Sequence, residues 1–106
     1  MSFYLAGEGP PIRSERDAVD LIAEAGASTV VLPIERLDEE FFRLRSGLAG
    51  AIFQKFVNYG VRLIIVGDVS RYTDESEAFR GLVYETNRGQ HVWFVPTLEA
   101  AKQRIR

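Results

Sequence analysis

The residues best placed to do chemistry stand in one short run, Arg43-Leu44-Arg45-Ser46-Gly47-Leu48-Ala49-Gly50, just ahead of an apolar stripe. Ala49, Ile52, Phe53, Phe56 and Val57 fall at i, i+3, i+4, i+7 and i+8, which predicts a helix that begins beside Ser46 and ends at Gly60. A serine in that position caps the helix by accepting a hydrogen bond from an amide two or three residues on. The same helix end presents unpaired amides and about half a positive charge. Gly47 and Gly50 leave those amides uncovered. A phosphate on Ser46, or a bound anion, would therefore sit favourably there, with Arg43 or Arg45 to pair with it. On the purely structural alternative, Ser46 is only a cap, and the two glycines let another backbone pack closely on the first turn.

A second group of polar residues forms an alternative site. Asp68 follows an apolar run, at what would be the carboxyl end of a sheet, where open α/β folds bind ligands. With Glu85, Asn87 and Arg88 it could ring a small pocket; the competing reading is a loop carboxylate and an Asn helix cap. Ser70, Tyr72 and Thr73 put hydroxyls in the intervening polar segment, consistent with a phosphosite or a lid. His91 is the single histidine and there is no cysteine, so a transition-metal site, a disulfide and a cysteine nucleophile are not expected. No Ser-His-Asp signature is legible, and the Gly7-Glu8-Gly9 run lacks the rest of a dinucleotide fingerprint. No catalytic residue, metal or cofactor is assigned.

Phe41 and Phe42 are adjacent, so one helix face cannot bury both. One of them is expected to be exposed and, with Asn58 and Tyr59, to mark a partner surface or a homodimer contact.

These residues need a frame to hold them. The chain has 106 residues, 46% of them hydrophobic, which fits a single domain over residues 1–106. Its formal charge is -2 and its eleven arginines are scattered, so no basic face for nucleic acid is expected. No apolar run is long enough to cross a bilayer and no leader pattern opens the chain, which leads to the expectation of a cytoplasmic protein without a membrane partner.

Residues 3–6 read as a first strand, for which an antiparallel pairing at an edge is open, and Ile12-Arg13 as a brief extended piece. Ser14 with Asp17 resembles a capping box in an acidic variant, opening a helix whose inward side is Val19, Ile22 and Ala23 with Leu21 beside them and whose end is Gly26. The β-branched run at 28–34 predicts a strand covered on both faces. Asp38, Glu39 and Glu40 favour a helix start. Strands follow at 61–66 and 91–95, with a polar loop at 70–76, a helix at 78–87 and a last helix capped by Thr97. The order β-β-α-β-α-β-α-β-α implies right-handed crossovers and an α/β fold with a mainly parallel sheet of four to five strands.

The blocks FFRLRSGLAGAIFQKFVNYGVRLIIVGD, ETNRG and VWFVPTLEAA resemble the bacterial family known as domain of unknown function 4180, over nearly the whole chain from about Ile12. That family name implies no activity. More distantly, the order of elements is similar to STAS domains, the class of the anti-anti-sigma factors, in which an Asp-Ser-Ser-Gly-Leu-Gly segment follows a strand and opens a helix. Ser46-Gly47-Leu48, followed by Ala49-Gly50, occupies the corresponding place; Leu44-Arg45 stands where the STAS Asp-Ser would be, and a Phe-Phe insertion precedes it. The resemblance implies a STAS-like fold, a phosphorylated serine at Ser46 and a partner-binding surface around it. Together these readings point to a non-enzymatic regulatory module that binds a protein partner or a second copy of itself. The alternative is a small-molecule-binding protein or enzyme that uses the sheet edge near Asp68.

Overall fold

A computed structural model describes residues 2–105. Four strands, β1 (Tyr4–Leu5), β2 (Thr29–Pro33), β3 (Arg62–Val66) and β4 (Val92–Val95), form one sheet in the order β1-β2-β3-β4. Every pairing is parallel, with Tyr4 opposite Val30, Val31 opposite Ile64, and Ile64 opposite Trp93. The first strand is thus parallel to its neighbour. The helical connection between them is a crossover that returns the chain to the starting end of the sheet, which makes the pair parallel. Ile12 forms only an isolated bridge to Leu37, so the expected second extended piece is not a strand.

Among the described residues there are also five α-helices: α1 (Glu15–Ala25), α2 (Leu48–Asn58), α3 (Ser70–Glu75), α4 (Glu77–Arg88) and α5 (Leu98–Ile105). In a sheet that grows by one neighbouring parallel strand at a time, right-handed crossovers put every connecting helix on the same face. Accordingly Val30, Leu32, Leu63, Ile65, Val92 and Phe94 point into a core shared with α1, α2 and α4. The alternate residues Val31, Ile64, Trp93 and Val95 point the other way and are covered by Ala101 and Ile105 of α5. The 28–34 run is apolar at successive positions because both of its faces are covered.

The helix ends follow the sequence closely. Ser14 Oγ accepts the Asp17 amide at 3.1 Å, and Asp17 Oδ2 reaches back to accept the Arg13 amide, one residue before the cap, at 2.9 Å, a variant of the capping box. Thr97 Oγ1 accepts the Ala100 amide at 3.1 Å. The buried side of α1 is Ala18, Leu21 and Ile22, rotated from the expected one, and Ala23 is exposed. The 70–76 segment is the larger departure: it forms α3, because Asp68 Oδ1 accepts the Ser70 amide at 2.9 Å and starts a helix in an otherwise polar stretch.

Between β2 and α2 the chain makes three 3-10 turns, at Ile34–Arg36, Glu39–Phe42 and Leu44–Ser46. Asp38 caps the second through the Glu40 amide, so a helical turn does start where the carboxylates favour one, but it lasts only four residues. That brevity changes the fate of the aromatic pair. Both Phe41 and Phe42 are buried, at 0% and 8% exposure, which overturns the expectation that one marks an exposed surface. In a 3-10 turn, successive side chains diverge by about a third of a turn. Phe41 packs edge-on against Phe53 at 5.6 Å, while Phe42 stacks on Tyr72 at 3.9 Å and meets Phe79 at 5.6 Å.

Truncating Phe41 to alanine removes a fully enclosed ring, so Phe41→Ala is expected to lower stability by about 3–5 kcal/mol. A urea titration followed by tryptophan fluorescence measures it.

Candidate functional site

The helices α1, α2 and α4 run back along the sheet, so their N-termini gather at its carboxyl end, where the loops after β1, β2 and β3 also lie. The 43–46 turn sits in the middle of this end. Its side chains Arg43, Arg45 and Ser46 are exposed, and so are Gly47 and Gly50. Helix α2 begins at Leu48, after a break at Gly47, so no continuous helix runs through the serine.

Ser46 joins the turn to the helix. Its hydroxyl donates to the Glu40 carbonyl at 2.8 Å and accepts the Leu48 amide at 3.2 Å. The expected bond to an amide two residues on is present, although the N-cap position of α2 is taken by Gly47 and Ser46 lies one residue before it. The amides of Ala49 and Gly50 bond to no other group among the described residues. Gly47 has φ +79°, a conformation that costs an L side chain, so its glycine is needed for the sharp entry into α2. Gly50 has no such requirement. Nothing lies within 4 Å of the Cβ that an alanine would add at either glycine, so neither admits a close backbone neighbour, contrary to the structural alternative.

A shallow cleft of about 460 Å³ opens on this side of the turn, between the N-termini of α1 and α2, and is lined by Arg13, Ser14, Glu15, Glu40, Ser46 and Gly47, among others. Two of its carboxylates already hold cations: Glu40 pairs with Arg43 at 2.9 Å and Glu15 with Lys55 at 3.5 Å. Across the turn lies a larger cleft, walled by Phe42, Arg43, Arg45, Arg71 and Tyr72. The Tyr72 phenol donates to Glu39 Oε1 at 3.1 Å; burial first and then this hydrogen bond push its pKa above the ordinary tyrosine value. Tyr72 and Thr73, expected as loop hydroxyls, are thus built into the fold, Thr73 through a bond to the Ser70 carbonyl.

The alternative pocket does not assemble. Asp68 sits at the carboxyl end of the sheet, whereas α4 starts there and runs roughly 18 Å to the opposite end before Arg88. Glu85, Asn87 and Arg88 are therefore carried away from Asp68. The cleft beside Asp68, about 300 Å³, is lined by Gly67, Val69, Ser70, Thr73, Val83, Phe94, Val95 and Pro96. Asn87 serves the sheet instead, since its Oδ1 accepts the outward amide of Phe94 at 2.7 Å and so blocks the exposed edge of β4. Glu85 is exposed, and the Arg88 guanidinium lies 5.4 Å from the Tyr84 ring centre. Of the partner-surface group only Asn58 and Tyr59 are exposed; Asn58 accepts from Gln54, and Tyr59 is 57% exposed.

Sequence reading missed two participants. Arg71 lies in a segment that reads as loop, although Asp68 two residues ahead of Ser70 is the available helix-start signal. Arg36 carries no signal. It is buried, and its guanidinium donates to the carbonyls of Ala6 and Pro10, tying the 7–11 loop down. Gly9 lies so close that an added Cβ would stand 2.7 Å from Arg36 Nη2, which explains the glycine in a run that resembles a weak phosphate motif. Among the described residues no three His, Asp or Glu side chains converge to hold a metal ion, and no helix is long and apolar enough to cross a membrane.

The molecule is thus a four-stranded parallel α/β domain whose candidate site residues around the 43–46 turn lie at the carboxyl end of the sheet. The chain belongs to the family described as domain of unknown function (DUF4180), whose sequence model matches residues 3–105. No curated protein and no solved structure shows significant similarity to it.

Two measurements follow from the caps. Ser46→Ala removes one acceptor and one donor, and is expected to lower stability by about 1 kcal/mol in denaturant unfolding. Hydrogen bonds from Ser70, its backbone amide first, hold the Asp68 carboxyl below the ordinary carboxylate value of 3.8. A carboxyl whose pKa is lower folded than unfolded stabilises above the unfolded value and loses that contribution as pH falls through the folded one. Thermal unfolding of wild type and Asp68→Ala should therefore differ by a constant margin from neutral pH to about pH 5, with the margin shrinking below about pH 4.

Proposed function

We propose that this protein is a regulatory module that binds a protein partner through the surface around the 43–46 turn and the first turn of α2, and that the charge at Ser46 sets the affinity. The observation that carries this reading is Gly50. An exposed glycine in the first turn of a helix costs about 0.5–1 kcal/mol against alanine. Here it has ordinary backbone geometry and open space around it, so neither conformation nor packing accounts for it. A bare helix surface suits a partner that approaches the backbone closely. The exposed hydroxyl of Ser46 stands directly beside that surface.

Modification at Ser46 has a definite local consequence. A phosphate ester cannot donate to the Glu40 carbonyl, so that bond is lost. It adds about two negative charges beside the Glu40 carboxylate. Arg43, now paired with Glu40, and Arg45, free of any carboxylate partner among the described residues, are within the same turn and can turn to the phosphate. The surface then changes both its shape and its sign. The STAS-like resemblance supports this reading through the position of Ser46 alone, and a cytoplasmic setting for the partner is part of the same proposal.

Partner capture with immobilised wild type, Ser46→Asp and Gly50→Ala, quantified by mass spectrometry, tests it. Gly50→Ala should gain about 0.5–1 kcal/mol of stability yet retain less partner, and Ser46→Asp should also retain less. Identical retention by all three would count against the surface, and a Gly50→Ala protein that gains stability without losing partner would remove its main support.

A further inference from the structure

The larger cleft, on the far side of the 43–46 turn, holds about 910 Å³ and lies at the carboxyl end of the sheet. Its size is within the range of small-molecule sites, about 300–1,000 Å³. Phe42, Leu44, Tyr72 and Ala78 supply an apolar wall. The Tyr72 ring is fixed there by its stack on Phe42, 3.9 Å between centres with planes 7° apart, and by its hydrogen bond to Glu39.

The rim is basic in a chain that is acidic overall. Three arginines, Arg43, Arg45 and Arg71, face two glutamates, Glu39 and Glu75, although the protein carries a formal charge of -2. Glu39 is engaged with the Tyr72 phenol and Arg43 with Glu40. Arg45 and Arg71 form no ion pair among the described residues, and both are exposed. The Arg71 guanidinium sits 5.2 Å from the centre of the Tyr72 ring, which keeps a cation beside the aromatic wall. An apolar wall next to two guanidinium groups without a carboxylate partner matches a ligand that has both a ring and an anion.

We infer that this cleft binds a small aromatic anion, with its ring against Leu44, Ala78 and the edge of Tyr72, whose faces are covered by Phe42 and Arg71, and its carboxylate or phosphate held by Arg45 and Arg71. Guanidinium groups recognise either acid through paired N–H donors. The binding needs neither Ser46 nor a protein partner, although it shares Arg45 with the surface proposed above.

Phenyl phosphate and benzoate serve as probes in a two-dimensional amide NMR titration, with inorganic phosphate and benzyl alcohol as single-feature controls. Saturable shifts at Leu44, Arg45, Tyr72 and Ala78 are expected with at least one aromatic acid, at a dissociation constant on the order of 1 mM or tighter. Arg45→Gln combined with Arg71→Gln should weaken binding at least about tenfold, whereas Arg13→Gln, in the other cleft, should leave it unchanged. All three arginines are exposed, so the variants keep the fold, and their spectra verify this directly. The inference is overturned by no saturation up to about 10 mM, by equal affinity for inorganic phosphate or benzyl alcohol, or by shifts confined to residues 46–50.

Discussion

The stacking of Phe42 on Tyr72 is the contact on which the carboxyl end of the molecule depends. It ties the connection between β2 and α2 to the start of the α3–α4 pair, two segments separated by a strand and a helix in the chain. Around it Phe41, Phe53, Phe79 and Phe94 meet edge to face or tilted at 5.1–6.5 Å, so each ring fixes its neighbours. With both phenylalanines turned inward, the turn that follows is pushed to the outside. That is why Arg43, Arg45 and Ser46 project from the surface between two clefts.

Most polar side chains at this end are already committed. Ser14, Asp38, Asp68, Ser76 and Thr97 each accept the amide of a helix or turn that starts there. Ser46 does the same while also holding the turn through Glu40. Among the groups left without an ion pair or hydrogen bond among the described residues are the side chains of Arg13, Arg45 and Arg71 and the amides of Ala49 and Gly50.

Much of this was legible in the sequence, for reasons that differ by residue. The strand at 28–34 and the stripe from Ala49 to Phe56 show their periods directly, and the Ser14 and Thr97 caps are local signals. Ser46 stands out because its cap and its glycines lie within five residues. What failed depended on distance in the chain. Helical geometry buries only one of Phe41 and Phe42, and the tertiary contacts with Tyr72 and Phe53 accompany the 3-10 turn that buries both. Asp68 and Arg88 look close because they flank the same polar and helical segment, but a helix of twelve residues separates them. Arg36 is buried by carbonyls from a loop about thirty residues earlier, which no local pattern reveals.

The central claim is that the surface bearing Ser46 and Gly50 meets another protein. Photocrosslinking in living cells addresses it whatever the partner is. A photoreactive residue is placed at Gln54, exposed one turn beyond Gly50 on α2, and in a second variant at Gln103, exposed on α5 across the sheet. The account predicts a discrete adduct from position 54 that is absent from position 103 and is diminished by Ser46→Asp. Adducts of equal yield from both positions, or none from position 54, would contradict it.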